Sequence, residues 1–75
     1  MDIDHEELRM VLRAHPNGMF LDDILNELHL EVKNVNRIHL ISILKWENVE
    51  RCYRYRFGKL KTFFLLKQEK ILEES

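Results

Sequence analysis

From Val49 to Phe57 the chain sets Val49, Arg51, Tyr53, Tyr55 and Phe57 in alternation with Glu50, Cys52, Arg54 and Arg56, and Gly58-Lys59 follows at once. A period of two sends successive side chains to opposite faces of a pleated backbone, so this stretch predicts a β-strand. Gly58-Lys59 suits a two-residue type II′ turn, because glycine accepts the positive φ required there, and Leu60 to Lys67 supplies the return strand with Thr62, Phe63, Phe64, Leu65 and Leu66. A lone hairpin is marginal in water. The preceding residues must therefore provide the surface on which this one is buried.

Those residues read as helices. Asp4 and Glu7 stand in capping-box spacing ahead of Leu8, Val11 and Leu12, with Met10 and Ala14 beside them, and His15-Pro16-Asn17-Gly18 ends the element in a tight turn. Met19 and Phe20 are too few for an independent strand and fit a short bridge to the later sheet. Leu21, Ile24, Leu25 and Leu28 form an i, i+3, i+4, i+7 stripe, with Asp22 and Asp23 at the end of the helix dipole that favours anions. His29 to Val32 reads as the turn after this second helix.

The stretch from Lys33 to Trp46 is apolar on nearly every side through Ile38, Leu40, Ile41, Ile43 and Leu44, and reads as a third helix. On a helical wheel Lys33, Asn36, Arg37 and Leu40 cluster as a polar, outward face, while Val35 and Ile38 point the other way. A strand from Arg37 to Trp46 is the rival reading, since isoleucine favours strands. Helix, bridge, helix, helix and hairpin is the order of an α+β winged helix, with three helices and a C-terminal two-stranded wing. The expected domain spans residues 1–67, with a polar tail over 68–75 that is apolar only at Ile71 and Leu72. Leu8, Leu12, Leu25, Leu28, Ile38 and Phe64 are the expected core.

Charge is segregated along the chain. Residues 1–31 carry eight acidic and two basic side chains, whereas 32–61 carry Lys33, Arg37, Lys45, Arg51, Arg54, Arg56, Lys59 and Lys61 against Glu47 and Glu50, although the whole chain sums to −1. The lone Cys52 cannot close an internal disulfide, no Cys/His spacing matches a structural zinc site, and the acidic start lacks the pattern of a signal peptide. These features lead us to expect an intracellular protein, cytoplasmic or nuclear, with no membrane association. His5, His15, His29 and His39 accompany no nucleophile or carboxylate at a catalytic spacing, so neither an enzyme, a metal nor a cofactor is expected.

Leu8-Arg9-Met10-Val11-Leu12 followed by His15-Pro16-Asn17-Gly18-Met19 resembles the LOTUS domains, winged-helix-like modules of germline RNA-regulatory proteins. The likeness covers the first two helices and their turn. It implies either a DEAD-box helicase partner or binding of structured, G-rich RNA. Lys33-Asn34-Val35-Asn36-Arg37-Ile38 is in turn similar to the recognition helix of Z-alpha domains, where Lys33, Asn36 and Arg37 would match phosphate-contacting positions; Leu40 stands where that family has a tyrosine.

The basic block is the functional signal in the residues themselves. In a helix-turn-helix the recognition helix reads base edges while flanking cations neutralise phosphates. That scheme places Lys33, Asn36 and Arg37 in the groove, puts Arg51, Arg54, Arg56, Lys59 and Lys61 on the backbone, and makes Tyr53 and Tyr55 candidates for stacking on an unpaired base. The expected partner is RNA or DNA. The alternative is a protein-interaction or dimerisation module, with a helicase or a second copy as partner, because the acidic first half repels phosphate and Leu40 adds apolar character to the recognition face.

Overall fold

The computed structural model describes residues 3–67; the expected tail over 68–75 lies outside the described residues. Helix α1 (His5–Ala14) begins at Asp4, whose carboxylate accepts a hydrogen bond from the Glu6 backbone N–H at 3.0 Å. Asp4 caps the helix as expected, but through the Glu6 N–H and not through the Glu7 N–H of the expected capping box. After the Pro16 turn come strand β1 (Met19–Phe20), helix α2 (Leu21–Glu27), helix α3 (Asn34–Leu44), and strands β2 (Val49–Arg56) and β3 (Lys59–Leu66). The stretch from Arg37 to Leu44 is helical, so the rival strand does not form. Among the described residues, no helix is long and apolar enough to cross a membrane.

Three helices pack with an antiparallel sheet of order β1-β3-β2. The hairpin is thus joined by a third strand, the short bridge, through the pairs Met19↔Phe64 and Phe20↔Phe63. Gly18 permits that bridge. Its φ is +102°, and a Cβ at this position would collide with the Phe63 ring.

The type II′ turn at Gly58-Lys59 is replaced by a turn at Phe57-Gly58. Phe57 and Gly58 have φ of 53° and 76°, the two positive values of a type I′ turn, and Arg56 pairs with Lys59. Moving the turn by one residue shifts each cross-strand partner by two, so every side chain keeps its face. Helix α2 ends in a Schellman motif. The Leu30 N–H donates to the Leu25 carbonyl at 2.9 Å and the His29 N–H to that of Asn26 at 3.0 Å, with His29 at φ 61° in the place glycine usually fills.

Leu8, Leu12, Leu25, Leu28 and Phe64 are buried, joined by Ile3, Met19, Leu21, Ile24, Leu40 and Leu44. Ile38 is not; it is 68% exposed. The core face of α3 is Asn36, Leu40 and Leu44, so the expected orientation of this helix is reversed: Asn36 and Leu40 turn inward while Val35 and Ile38 turn out. Buried Asn36 is accommodated because its Nδ2 donates to the Glu31 carbonyl at 2.8 Å, which ties the start of α3 to the turn after α2.

A carboxylate anchors the opposite end. The Glu47 side chain, only 6% exposed, accepts from His5 Nδ1 at 2.8 Å and from Arg9 Nε at 2.9 Å, fixing α1 to the connection between α3 and β2. Burial pushes the Glu47 carboxyl upward. The hydrogen bonds from Arg9 and His5, with their charges, outweigh it and hold the group below the ordinary range.

Candidate nucleic-acid interface

The cross-strand register sorts the hairpin into two faces. Val49, Arg51, Tyr53 and Tyr55 of β2 lie opposite Leu66, Phe64, Thr62 and Leu60 of β3, and this is the side on which Phe64 enters the core and α3 packs. Glu50, Cys52, Arg54 and Arg56 lie opposite Leu65, Phe63, Lys61 and Lys59, on the outer side. The expected backbone contacts Arg54, Arg56, Lys59 and Lys61 therefore share one face. The stacking candidates Tyr53 and Tyr55 stand on the other, both exposed.

On the outer face two arginines cover an aromatic pair. Phe20 and Phe63 meet edge to face at a centroid separation of 5.0 Å. The Arg54 guanidinium lies 4.2 Å from the Phe63 ring centre and that of Arg56 lies 4.7 Å from Phe20. These contacts hold both guanidinium groups over the aromatic rings and leave their charge at the surface. Arg54 faces Lys61 and Arg56 faces Lys59 directly across the ladder. Like charges at directly opposed positions destabilise a hairpin, so the cations sit at a local electrostatic cost. One carboxylate relieves part of it, since Arg56 Nη1 reaches Asp23 Oδ2 at 2.9 Å.

The residues expected from α3 do not join this face as a set. Lys33 is exposed and pairs with Glu31 at 3.1 Å, and with Asn36 it lines a hollow that also holds His29, Val35 and His39. Arg37 does approach the hairpin. It lines a groove of about 250 Å³ with Phe20, Arg56, Phe57, Leu60 and Lys61. Its guanidinium is committed there, with Nε and Nη2 donating to the two Asp22 oxygens at 2.9 and 3.3 Å and Nη1 to Asn34 Oδ1 at 2.7 Å. The hydrogen bond from Arg37 is the main reason the Asp22 carboxyl lies below its usual value. Arg51 stands apart on the α3 side, over a hollow formed with Ile41, Lys45, Val49 and Phe64.

Asp22 and Asp23 thus clamp Arg37 and Arg56 besides favouring the start of α2, which sequence reasoning assigned to the helix dipole alone. The segregation of charge along the chain was the signal available, because an acidic α2 and a basic α3 and hairpin are complementary surfaces. Exposed Phe57 and Leu60 were missed as surface features, and their hydrophobicity gave no hint of exposure. The chain finds no match among family models, curated proteins or solved structures.

Proposed function

We propose that this chain is a winged-helix binding module, not an enzyme, that holds the phosphate backbone of RNA or DNA on the outer face of its wing. The observation that carries this reading is the pair of opposed like-charge rungs, Arg54↔Lys61 and Arg56↔Lys59. A merely solvated hairpin gains nothing from setting cations against each other, whereas an anion bridging the rungs turns repulsion into attraction. The stacking of Arg54 on Phe63 and of Arg56 on Phe20 supports it by fixing both guanidinium groups before a ligand arrives.

This reading moves contact from the third helix to the wing. Asn36 is buried and Arg37 is held by Asp22, so neither is presented to a base edge as the sequence suggested. Recognition led by backbone charge, with little selection among sequences, follows.

The test is a titration of labelled duplex DNA, duplex RNA and single-stranded RNA at low salt, repeated over a range of salt. Four phosphate contacts give a log-log slope of about −3.6 for duplex DNA and about −2.8 for a single strand. Absence of binding to all three at about 100 μM, where nonspecific contacts ordinarily register, defeats the reading.

A further inference from the structure

Strand β2 forms one margin of the sheet, since the strand order is β1-β3-β2. Its register with β3 is unbroken from Val49↔Leu66 to Arg56↔Lys59, so no bulge turns the margin away, and the strand contains neither proline nor glycine. The direction of its backbone groups follows from the ladder. The Lys67 N–H donates to the Asn48 carbonyl at 3.0 Å, one rung beyond Val49↔Leu66, and antiparallel pairs alternate between hydrogen-bonded and open. Glu50, Cys52, Arg54 and Arg56 therefore bond toward β3, whereas Arg51, Tyr53 and Tyr55 turn their N–H and C=O groups outward. Among the described residues these three make no backbone hydrogen bond beyond the ladder. A bare edge of this kind is a template for another strand.

The side chains of β2 select the strand that fits. Glu50 is the sole acidic residue of β2 and β3, and both Glu50 and Arg54 are exposed. Among the described residues neither forms an ion pair. An antiparallel second copy of β2, laid against the edge with Cys52 opposite Cys52, sets Glu50 of each copy opposite Arg54 of the other. It also sets Arg51 opposite Tyr53, so that their outward groups exchange both backbone hydrogen bonds, and Val49 opposite Tyr55. No like charges meet. Directly opposed side chains share a face of the sheet, so each Glu50 arrives on the outer face beside Arg54, whose rung with Lys61 holds no carboxylate of its own. Neighbouring registers fit less well. Centring the pair on residue 51 opposes Arg51 to Arg51, and centring it on residue 53 offers Glu50 to Arg56, which Asp23 already engages at 2.9 Å.

We propose that the free edge of β2 pairs with the β2 edge of a second copy of this chain, forming a two-fold dimer held by reciprocal Glu50–Arg54 ion pairs with Cys52 at the axis. The contact is isologous, the same patch serving both copies, so it closes at two and does not propagate. Backbone hydrogen bonds supply the affinity and the charge pattern fixes the register. The two sheets become one, with both outer faces on the same side. The dimer does not rest on nucleic-acid binding, and the experiment contains no nucleic acid.

Sedimentation of the full chain at concentrations up to about 1 mM tests this, and a reversible monomer–dimer equilibrium is expected. Glu50→Arg and, separately, Arg54→Glu each turn both attractive pairs into repulsive ones and should weaken the dimer by about tenfold. An equimolar mixture of these two variants should associate as tightly as wild type, because every opposed pair again has opposite signs. Tyr53→Pro removes an outward N–H, spares the ladder with β3 and should abolish the dimer. Circular dichroism of each variant in dilute solution checks that it folds. Diamide, which takes up the two thiol hydrogens, should join the copies through a Cys52–Cys52 disulfide, since an open antiparallel pair sets its Cα atoms about 4.5 Å apart, within disulfide range. A wild-type chain that stays monomeric throughout overturns the proposal and leaves the edge to a strand of another protein. A dimer indifferent to Glu50→Arg and to a folded Tyr53→Pro, a mixture that fails to restore association, or a dimer whose Cys52 thiols do not link overturns it as well.

Discussion

The base and the tip of the hairpin are built from the same kinds of residue and behave in opposite ways. At the base Phe63 and Phe64 are buried, one beneath Arg54 and the other in the core; at the tip Tyr53, Tyr55, Phe57 and Leu60 are exposed on a strand pair of the same regularity. Strand alternation is equally clean in both. The difference is what stands beside the ladder: β1 covers only Phe63 and Phe64, and toward the tip α2 and α3 offer the charged side chains Asp22, Asp23 and Arg37 in place of apolar cover. Side-chain chemistry proposes a core, and the length of the neighbouring elements decides where it ends.

Substitutions sharpen this contrast most strongly at the base. Phe64→Ala should cost about 3–5 kcal/mol and Leu25→Ala, at a fully buried position of α2, about 2–5 kcal/mol, whereas Tyr55→Ala should change stability by less than about 0.5 kcal/mol. Denaturant unfolding measures all three, and a Tyr55→Ala cost equal to that of Leu25→Ala would erase the distinction between base and tip. Gly18→Ala comes next at about 1–3 kcal/mol, since it combines a disfavoured positive φ with overpacking against Phe63. An unchanged melting temperature would show that the bridge does not depend on this close approach.

Acid provides a third comparison. Glu47 and Asp22 have carboxyl groups held below their ordinary values, so they bind fewer protons folded than unfolded. Their contribution to stability is fully present above the unfolded carboxylate range near about pH 4 and is lost as pH falls through the lowered folded values. Glu47→Gln should flatten the fall in melting temperature below that range, and a variant as acid-sensitive as wild type would contradict the role given to Glu47. A modest gain is expected at the tip: Phe57→Asn should raise stability by about 0.5–1 kcal/mol by relieving a left-handed phenylalanine. A loss of stability would mean that Phe57 is anchored in the groove rather than held out from it.

The parts of the fold legible from sequence are those that carry punctuation or period. Asp4 announced α1, Pro16-Asn17-Gly18 its end, and the alternation from Val49 the first strand of the hairpin, each through backbone preferences that act locally. Helix α3 was legible as a helix and not as an oriented one. With Ile38, Leu40, Ile41, Ile43 and Leu44 spread around it, the choice of buried side falls to packing, and the hydrogen bond from Asn36 to Glu31 helps to fix it. The turn was misplaced by one residue because local preference argues against a left-handed phenylalanine, and the register was fixed elsewhere, where Phe63 and Phe64 meet β1. For the candidate site, the basic set was legible by type. Its division between two faces was not, because which cations share a face depends on register, and which are neutralised depends on where α2 lies.

The central claim is that the outer face of the hairpin holds a phosphate backbone and the α3 side does not. Fluorescence anisotropy of a labelled duplex across a salt series tests it most directly, comparing wild type with a Lys59→Ala, Lys61→Ala variant and a Tyr53→Ala, Tyr55→Ala variant. The account predicts that the lysine pair lowers the magnitude of the log-log slope by about 1.8, two lost contacts at about 0.9 each, and that the tyrosine pair leaves it unchanged. A slope untouched by loss of both lysines, or reduced equally by loss of the tyrosines, would contradict it.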